Sequence, residues 1–479
     1  MTDTRQELTA AEVRRRLGHP VVDADGHFME LIPVVERAVA AYLEEDGGAE
    51  LRDRYLATRP QPLDTAVFPT ARTDPSIVDT WSAMPSWWGN PVLNTVDRAT
   101  AYLPQLMAER LEELGIDFML MYPSWTLAFM GVTDDALRAP MCRAVNRYFA
   151  ELFRTLRDRF EPAALIPMVT PEEAVDEINF AVQELGYKSV LLHGYAERPV
   201  GTSGEHRLDF FGMDSPYDYD KVWAACVANK VAPAFHSSLQ MSHPGRSITN
   251  YAHNHVQGIG SAHQALCKAL FFGGVYRRFP ELRVGFLEGG IAWAASLLAE
   301  LVGHWDKRGG HAISDLDPDR LDVDGLLALV DKYGSPDMLA DRDDIRQHLA
   351  RPAGRPEVLD EFAAAGISSI DDLLEPFENR LFFGCEADDP LIGIGYGLNF
   401  EGRRASMQPI IGTDVSHWDA PVMNEVMVEA YELVEHGLLD IEQFKGFVFA
   451  NPVRMHGGAN PAFFDGTAVE AEARAVLEG

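Results

Sequence analysis

The stretch VVDADGHFME, residues 21–30, sets the frame in which the rest of the chain is read. Val21, Val22 and Ala24 mark a short buried strand. Asp25 and His27 follow two apart, with Glu30 just beyond. Alternate residues of a strand share a face, so the acid and the imidazole point the same way. A single DxH after an apolar run is a weak signal, since one such histidine is usually a hydrogen-bonded core residue. The question is whether other strands end likewise.

They do. Apolar runs recur as DFMLMYP from 117, AALIPMV from 163, SVLLHG from 189, VAPAFHSS from 231, LRVGFLEGG from 282, RLFFGCE from 380 and PIIGTD from 409, eight with the first. Between them lie amphipathic stretches with apolar positions three to four apart: AERLEELG before Asp117, MCRAVNRYFAELFRTLRDRF from 141, PEEAVDEINFAVQELG from 171 and DYDKVWAACVANK from 218. Short apolar runs alternating with helical patterns are the signature of parallel strands with crossover helices. Eight of them predict a (β/α)8 TIM-type barrel, which carries its catalytic groups at the C-terminal strand ends. Two stretches exceed the minimal unit, at about 40–100 and about 306–378, and are read as loop insertions on one domain spanning residues 1–479.

The run ends are chemically loaded. The first carries Asp25 and His27, the fourth His193, the fifth His236, the sixth Glu288, and the eighth Asp414 with His417 after it. Imidazoles and carboxylates around one open site suit a divalent cation of the zinc, manganese or iron kind. Asp25, His27, His236 and Asp414 are the ligand set expected. Such a cation activates water or polarises a bound oxygen.

Bulk properties narrow the classes of partner. Asp and Glu outnumber Lys and Arg by 73 to 41, a formal charge of -32, which argues against nucleic acid and anionic membrane as partners. Apolar residues make up 47% of the 479, enough for a sizeable core. The four cysteines, Cys142, Cys226, Cys267 and Cys385, form no CxxC pair and read as buried thiols of a reducing compartment. No window has the length of a membrane span, and the polar N-terminus lacks the apolar core of a signal peptide. A cytoplasmic protein with a small-molecule substrate is expected.

The pieces DADGHFME, RLEELGIDFMLMYPS, KALFFGGVYRRFPELRVGFLEGGIAW, IIGTDVSHWD and FANPVRMHG resemble the amidohydrolase-related proteins of the aminocarboxymuconate-semialdehyde decarboxylase type, within the metal-dependent amidohydrolase superfamily. The resemblance covers nearly the whole chain apart from the insertions. It implies a distorted (β/α)8 barrel, usually one divalent metal, and a common dimer. It also implies ligands at Asp25, His27, His236 and Asp414, with zinc named first and manganese or iron alternatives. Where the family often has a catalytic HGG histidine, this chain has Glu288-Gly289-Gly290, followed by Trp293 as in one subgroup. Glu288 is then a general base or a substrate anchor. No lysine ends the fourth strand to bridge two metals, which favours one ion.

The remaining candidates each have a plainer reading. Glu30 orients His27, contacts substrate or is a turn residue. His193 is a substrate contact or a packed polar group. Of His243, His253, His255 and His263, whose spacing fits no zinc motif, His255 is favoured as catalytic by its resemblance to an NH in relatives. His417 supports Asp414 from behind. Arg277 and Arg278 are expected in structural ion pairs. Trp87, Trp88 and Trp125 pack the first insertion or line a pocket. The lead expectation is non-oxidative decarboxylation, or a related C–C cleavage, of a small aromatic or keto acid. A hydrolase using metal-activated water, with Glu288 or Asp414 as base, is second, and a non-catalytic binding protein third.

Overall fold

The computed structural model describes residues 8–58, 93–236, 247–349, 357–400, 402–417 and 419–479. Trp87, Trp88, His243 and Trp418 lie outside them. The chain divides into two compact units, residues 1–297 with 375–479, and residues 298–374.

The first unit contains the barrel. Its strands are β1 (Val22–Phe28), β2 (Phe118–Pro123), β3 (Phe160–Ile166), β4 (Ser189–Leu192), β5 (Pro233–Phe235), β6 (Val284–Phe286), β7 (Leu381–Glu386) and β8 (Gln408–Gly412). They form one eight-stranded sheet in chain order, each pairing parallel with the next. All eight apolar runs are strands. They are almost wholly buried because helices cover the outside and side chains fill the inside.

Closure falls between β8 and β1, at the motif that opened the reading. His27 N–H donates to Val415 O at 3.0 Å, and Asp414 N–H to Asp25 O at 3.1 Å. The Asp23 carboxylate clamps the seam. It accepts from Thr413 N–H at 3.1 Å, from the Thr413 hydroxyl, and from Asp25 N–H at 3.1 Å. Burial nonetheless raises Asp23 to about 6. The β1–β2 register shifts between Asp23 and Gly26, a bulge that re-aims the residues beyond it. Gly26 has no room for a Cβ, which would run into the Met119 side chain.

Helices form where the periodicity predicts. Pro104–Leu114, Arg138–Leu152, Pro171–Asn179 and Asp220–Ala228 precede or connect successive strands. Pro171–Asn179 starts with a capping box, Thr170 and Glu173 reciprocally bonding the first-turn N–H groups. The buried Asn146 ties Arg138–Leu152 to β3, donating to Leu165 O at 3.0 Å and accepting Leu165 N–H at 2.8 Å. Phe235, Phe286 and Phe383 are register partners on β5, β6 and β7. Their rings stack at 5.9 and 6.1 Å against Trp293 and His263. Strand alternation turns the next residue after Phe235, His236, to the opposite face.

The second unit is helical, with Val323–Tyr333, Pro336–Ala340 and Arg342–Leu349 tied by Arg342–Asp331 at 2.6 Å and Arg346–Asp324 at 2.7 Å. Among the described residues no helix is long and apolar enough to cross a membrane. All four cysteines are buried and free.

One buried group makes acid stability testable. His456, on the helix Asn451–Ala459, stacks on Phe463 at 4.6 Å, and neither ring nitrogen has a hydrogen-bond partner among the described residues. Burial lowers its pKa to about 3. The folded chain therefore holds it neutral while the unfolded chain protonates it near 6.5, so its contribution is full above 6.5 and is lost as pH falls toward 3. His456→Phe is expected to leave urea unfolding near pH 8 little changed. At pH 4.5 it should gain about 2–3 kcal/mol over the parent. Equal pH dependence in both proteins would refute this.

Candidate functional site

The site stands at the C-terminal ends of the strands, built on the β1–β8 seam. His27 Nε2 is its hub: Asp25 Oδ1 lies 3.5 Å away, Asp414 Oδ1 3.2 Å and His236 Nε2 3.3 Å. An imidazole nitrogen carries at most one proton, so it cannot satisfy three such neighbours by hydrogen bonding. Donor atoms of Asp25, His27 and His236 lie within 4.8 Å of one another, and so do those of His27, Asp414 and His417. Four ligands at about 2.0–2.2 Å around a tetrahedral ion stand about 3.3–3.6 Å apart, close to the spacings at the hub. Asp25 Oδ1 is buried with no hydrogen-bond partner among the described residues. The donor set and its crowding fit a divalent cation.

The electrostatics differ between the two imidazoles: burial opposes the charge of His236, but Glu288 and Asp25 outweigh it and raise His236 to about 9. Burial raises Asp25 to about 8, with Glu288 and Asp23 adding to it against His236, and burial also pushes Asp414 well up. Burial drives His27 well down, so its ring is neutral and a lone pair is available. A nearby positive ion would reverse the carboxylate shifts and keep these acids charged.

Around the hub, other side chains fix the ligands. The His417 ring stacks on His27 with centroids 3.6 Å apart. Its Nδ1 is 2.9 Å from Asp414 Oδ1 and its Nε2 is 2.9 Å from Ser124 Oγ, which also donates to Phe28 O. Glu288 sits between two imidazoles, with Oε2 3.0 Å from His236 Nε2 and Oε1 3.5 Å from His255 Nε2. Burial opposes the charge of Glu288, but His236 and His255 outweigh it and hold the carboxylate well below its usual range. Burial opposes His255 too, and Glu288 outweighs that, raising it. Glu288 and Asp414 both adopt positive φ, +57° and +49°. Such left-handed backbone costs about 1–3 kcal/mol per non-glycine residue and concentrates at functional sites. Close packing holds Glu288 there: a Cβ on Gly384 would meet Leu287 Cα at 2.8 Å and Glu288 N at 3.0 Å.

The other expected residues fall elsewhere. The Glu30 carboxylate accepts from Ser124, Trp125 and Thr126 N–H and from the Thr126 hydroxyl, anchoring the turn after β2. His193 Nδ1 bonds Tyr195 O at 2.5 Å, and burial lowers its pKa. Trp293 packs among Phe286, Phe383 and His263. His263 is buried and donates from Nε2 to Leu287 O at 2.6 Å, while His253 is exposed. Arg278 pairs twice with Asp220 at 2.7 Å. Four residues not singled out from sequence join the site: Asp23, Ser124, Glu386 and Asp419. Glu386 ends β7 as Asp414 follows β8, so the strand-end rule itself would have found it.

These features define a class: a (β/α)8 barrel with a cation-type donor set at its C-terminal mouth. The amidohydrolase family model matches residues 120–322, a stretch that holds KALFFGGVYRRFPELRVGFLEGGIAW and the end of RLEELGIDFMLMYPS. Among solved structures, an amidohydrolase from Mycobacterium avium subsp. paratuberculosis K-10 is similar at 14% identity and a TM-score of 0.53, over 92% of this chain and 100% of that one. This is a likeness of fold. A dihydroxybenzoic acid decarboxylase from Polaromonas sp. JS666, with bound manganese and 2-nitroresorcinol, is similar at 13% identity and a TM-score of 0.47, over 91% and 97%. A 5-carboxyvanillate decarboxylase from Novosphingobium aromaticivorans DSM 12444, complexed with manganese, is similar at 13% identity and 0.45, over 92% and 96%.

Proposed function

We propose that the chain is a metal-dependent carboxy-lyase of the amidohydrolase type. In this reading one barrel domain removes carbon dioxide from a small aromatic or keto acid, or cleaves a related C–C bond. Asp25, His27, His236 and Asp414 would hold the divalent cation, zinc first, with manganese and iron compatible with the same donors. The observation that carries the reading is the crowding of two carboxylate oxygens and an imidazole nitrogen within 3.5 Å of His27 Nε2. When bound, the ion would supply positive charge that steadies developing negative charge on a substrate oxygen.

The chain's own groups handle the proton. His255 is kept protonated by Glu288, and its Nε2–H is the donor to the carbon that loses carboxylate. The C–COO⁻ bond breaks, its electron pair takes that proton, and carbon dioxide leaves. Glu288, held ionised, positions the imidazolium and is too weak an acid-form donor to serve itself. The same ionised Glu288 favours a second reading, a hydrolase in which it takes a proton from water. The free buried cysteines support a reducing cytoplasm, and the resemblance supports a homodimer.

Two measurements test this. Elemental analysis of the purified chain should find a divalent metal that a chelator removes. Incubation of the metal-loaded chain with a panel of hydroxybenzoate-like acids should release carbon dioxide. A metal-free, chelator-insensitive protein sinks both readings, whereas solvent oxygen entering a product without carbon dioxide selects the hydrolase.

A further inference from the structure

Two clefts on the outside of the first unit handle charge differently. The cleft of about 810 Å³ lined by Arg147, Arg154 and Arg157 neutralises itself. Arg147 pairs with Glu45 at 2.9 Å and Asp46 at 3.0 Å, Arg154 with Glu151 at 3.2 Å, and Arg157 with Glu161 at 2.8 Å. A smaller cleft, of about 470 Å³, does not. It lies at the N-terminal ends of β6, β7 and β8, where Arg283 precedes β6 and Gln408 begins β8. Arg283 and Glu288 flank β6 at its opposite ends, so this cleft is separate from the mouth.

Two arginines line it, Arg283 and Arg454, and among the described residues neither is in an ion pair. Arg283 Nη1 donates to Asn379 O at 2.8 Å, and Arg454 Nη1 to Asn451 Oδ1 at 3.1 Å, which leaves most of their N–H groups free for a ligand. The carboxylate in the lining, Glu378, is already held by Arg403 at 2.7 and 3.1 Å. Arg283 is fixed in place. A Cβ on Gly458 would meet its Nε at 2.5 Å and its Cζ at 2.6 Å, so the guanidinium lies against the backbone of the helix Asn451–Ala459. Burial and the neighbouring Arg380 lower its pKa against the pull of Glu375, as expected of a cation its surroundings do not fully compensate.

The charge count selects the ligand. The helices Asn451–Ala459 and Glu470–Glu478 end at this cleft, through Gly458 and Leu477. A helix C-terminus carries roughly half a negative charge, so two of them offset about one of the two guanidinium charges. One carboxylate balances the charge that remains, whereas a phosphate dianion overshoots it. Planar guanidinium forks also match the two oxygens of a carboxylate. We propose that Arg283 and Arg454 form a binding site for a small organic monocarboxylate, its carbon body resting on Phe382, Val476 and Leu477. The cleft has the size of ordinary small-molecule sites, about 300–1,000 Å³. Nothing in it depends on a cation at His27.

Titration of para-fluorobenzoate into the whole chain as purified, followed by fluorine nuclear magnetic resonance, tests this. A saturable bound resonance is expected that survives His27→Ala, since that substitution acts at the mouth. Arg283→Gln and Arg454→Gln should each weaken this binding by about tenfold or more, the usual effect of losing a charge-assisted hydrogen bond. Arg454 is exposed, so Arg454→Gln should melt with the parent and carries the test even if Arg283→Gln fails to fold. Unlabelled benzoate should displace the probe more readily than inorganic phosphate does. No saturable resonance in the parent, or one unchanged in Arg454→Gln, overturns the site. Phosphate displacing the probe better than benzoate overturns the assignment to a monocarboxylate.

Discussion

His27→Ala is expected to cost metal binding and about three orders of magnitude in kcat/KM, close to 4 kcal/mol of transition-state stabilisation. The size follows from position. His27 Nε2 lies within 3.5 Å of Asp25, Asp414 and His236 ligand atoms together. The two carboxylates and His236 keep their places without it but lose the nitrogen that joins them. Without metal, the variant loses a fully buried ring stacked on His417 and should melt below the metal-free parent. The parent should gain about 4 kcal/mol at a metal concentration a thousandfold above Kd, and the variant almost nothing. Calorimetric melting with and without added Zn²⁺ or Mn²⁺ reads both effects. A variant that still binds metal tightly would remove His27 from the site.

Glu30→Ala is expected to destabilise the fold by about 3–5 kcal/mol, the usual loss when a buried, hydrogen-bonded charge is removed and its partners are left unpaired. Glu30 is fully buried and accepts from Ser124 N–H at 3.2 Å, Trp125 N–H at 2.9 Å, Thr126 N–H at 3.0 Å and the Thr126 hydroxyl at 2.5 Å. Three backbone donors would lose their acceptor at once. Glu30→Gln should recover only part of this, because its NH2 would face donors. The effect should reach the site, since Ser124 Oγ lies 2.9 Å from His417 Nε2 and His417 lies 2.9 Å from Asp414. Urea unfolding and metal affinity should therefore fall together. A stable Glu30→Ala with unchanged metal affinity would show that the turn after β2 holds itself.

Much of this was legible in the chain because burial leaves a local record. A strand covered on both faces must be apolar for several residues, so VVDAD, DFMLMYP and RLFFGCE declare themselves wherever they occur. The strand-end rule points to Asp25, His27, His193, His236, Glu288 and Asp414; all but His193, which bonds Tyr195 O, meet at the mouth. Glu386 ends β7 in the same way, beside Asp388 and Asp389, where a run of acids has the composition of a solvated turn. Asp23 was hidden differently. In a regular strand it would share a face with Asp25 and His27, but the bulge before Gly26 turns it to the Thr413 backbone, where it closes the barrel.

The sequence by itself determined the strand count, the parallel alternation with helices and the kind of donor at each strand end. These depend on residue type and period, which are local. Only the tertiary structure decided that Asp414, nearly 400 residues from Asp25, comes back to sit beside it, and that Glu288 bridges His236 and His255 through a left-handed backbone held by Gly384. Closing a barrel brings together residues whose separation along the chain says nothing of their separation in space. Which oxygen faces which nitrogen is then set by bulges, glycine clearances and stacked rings rather than by the identity of the residue.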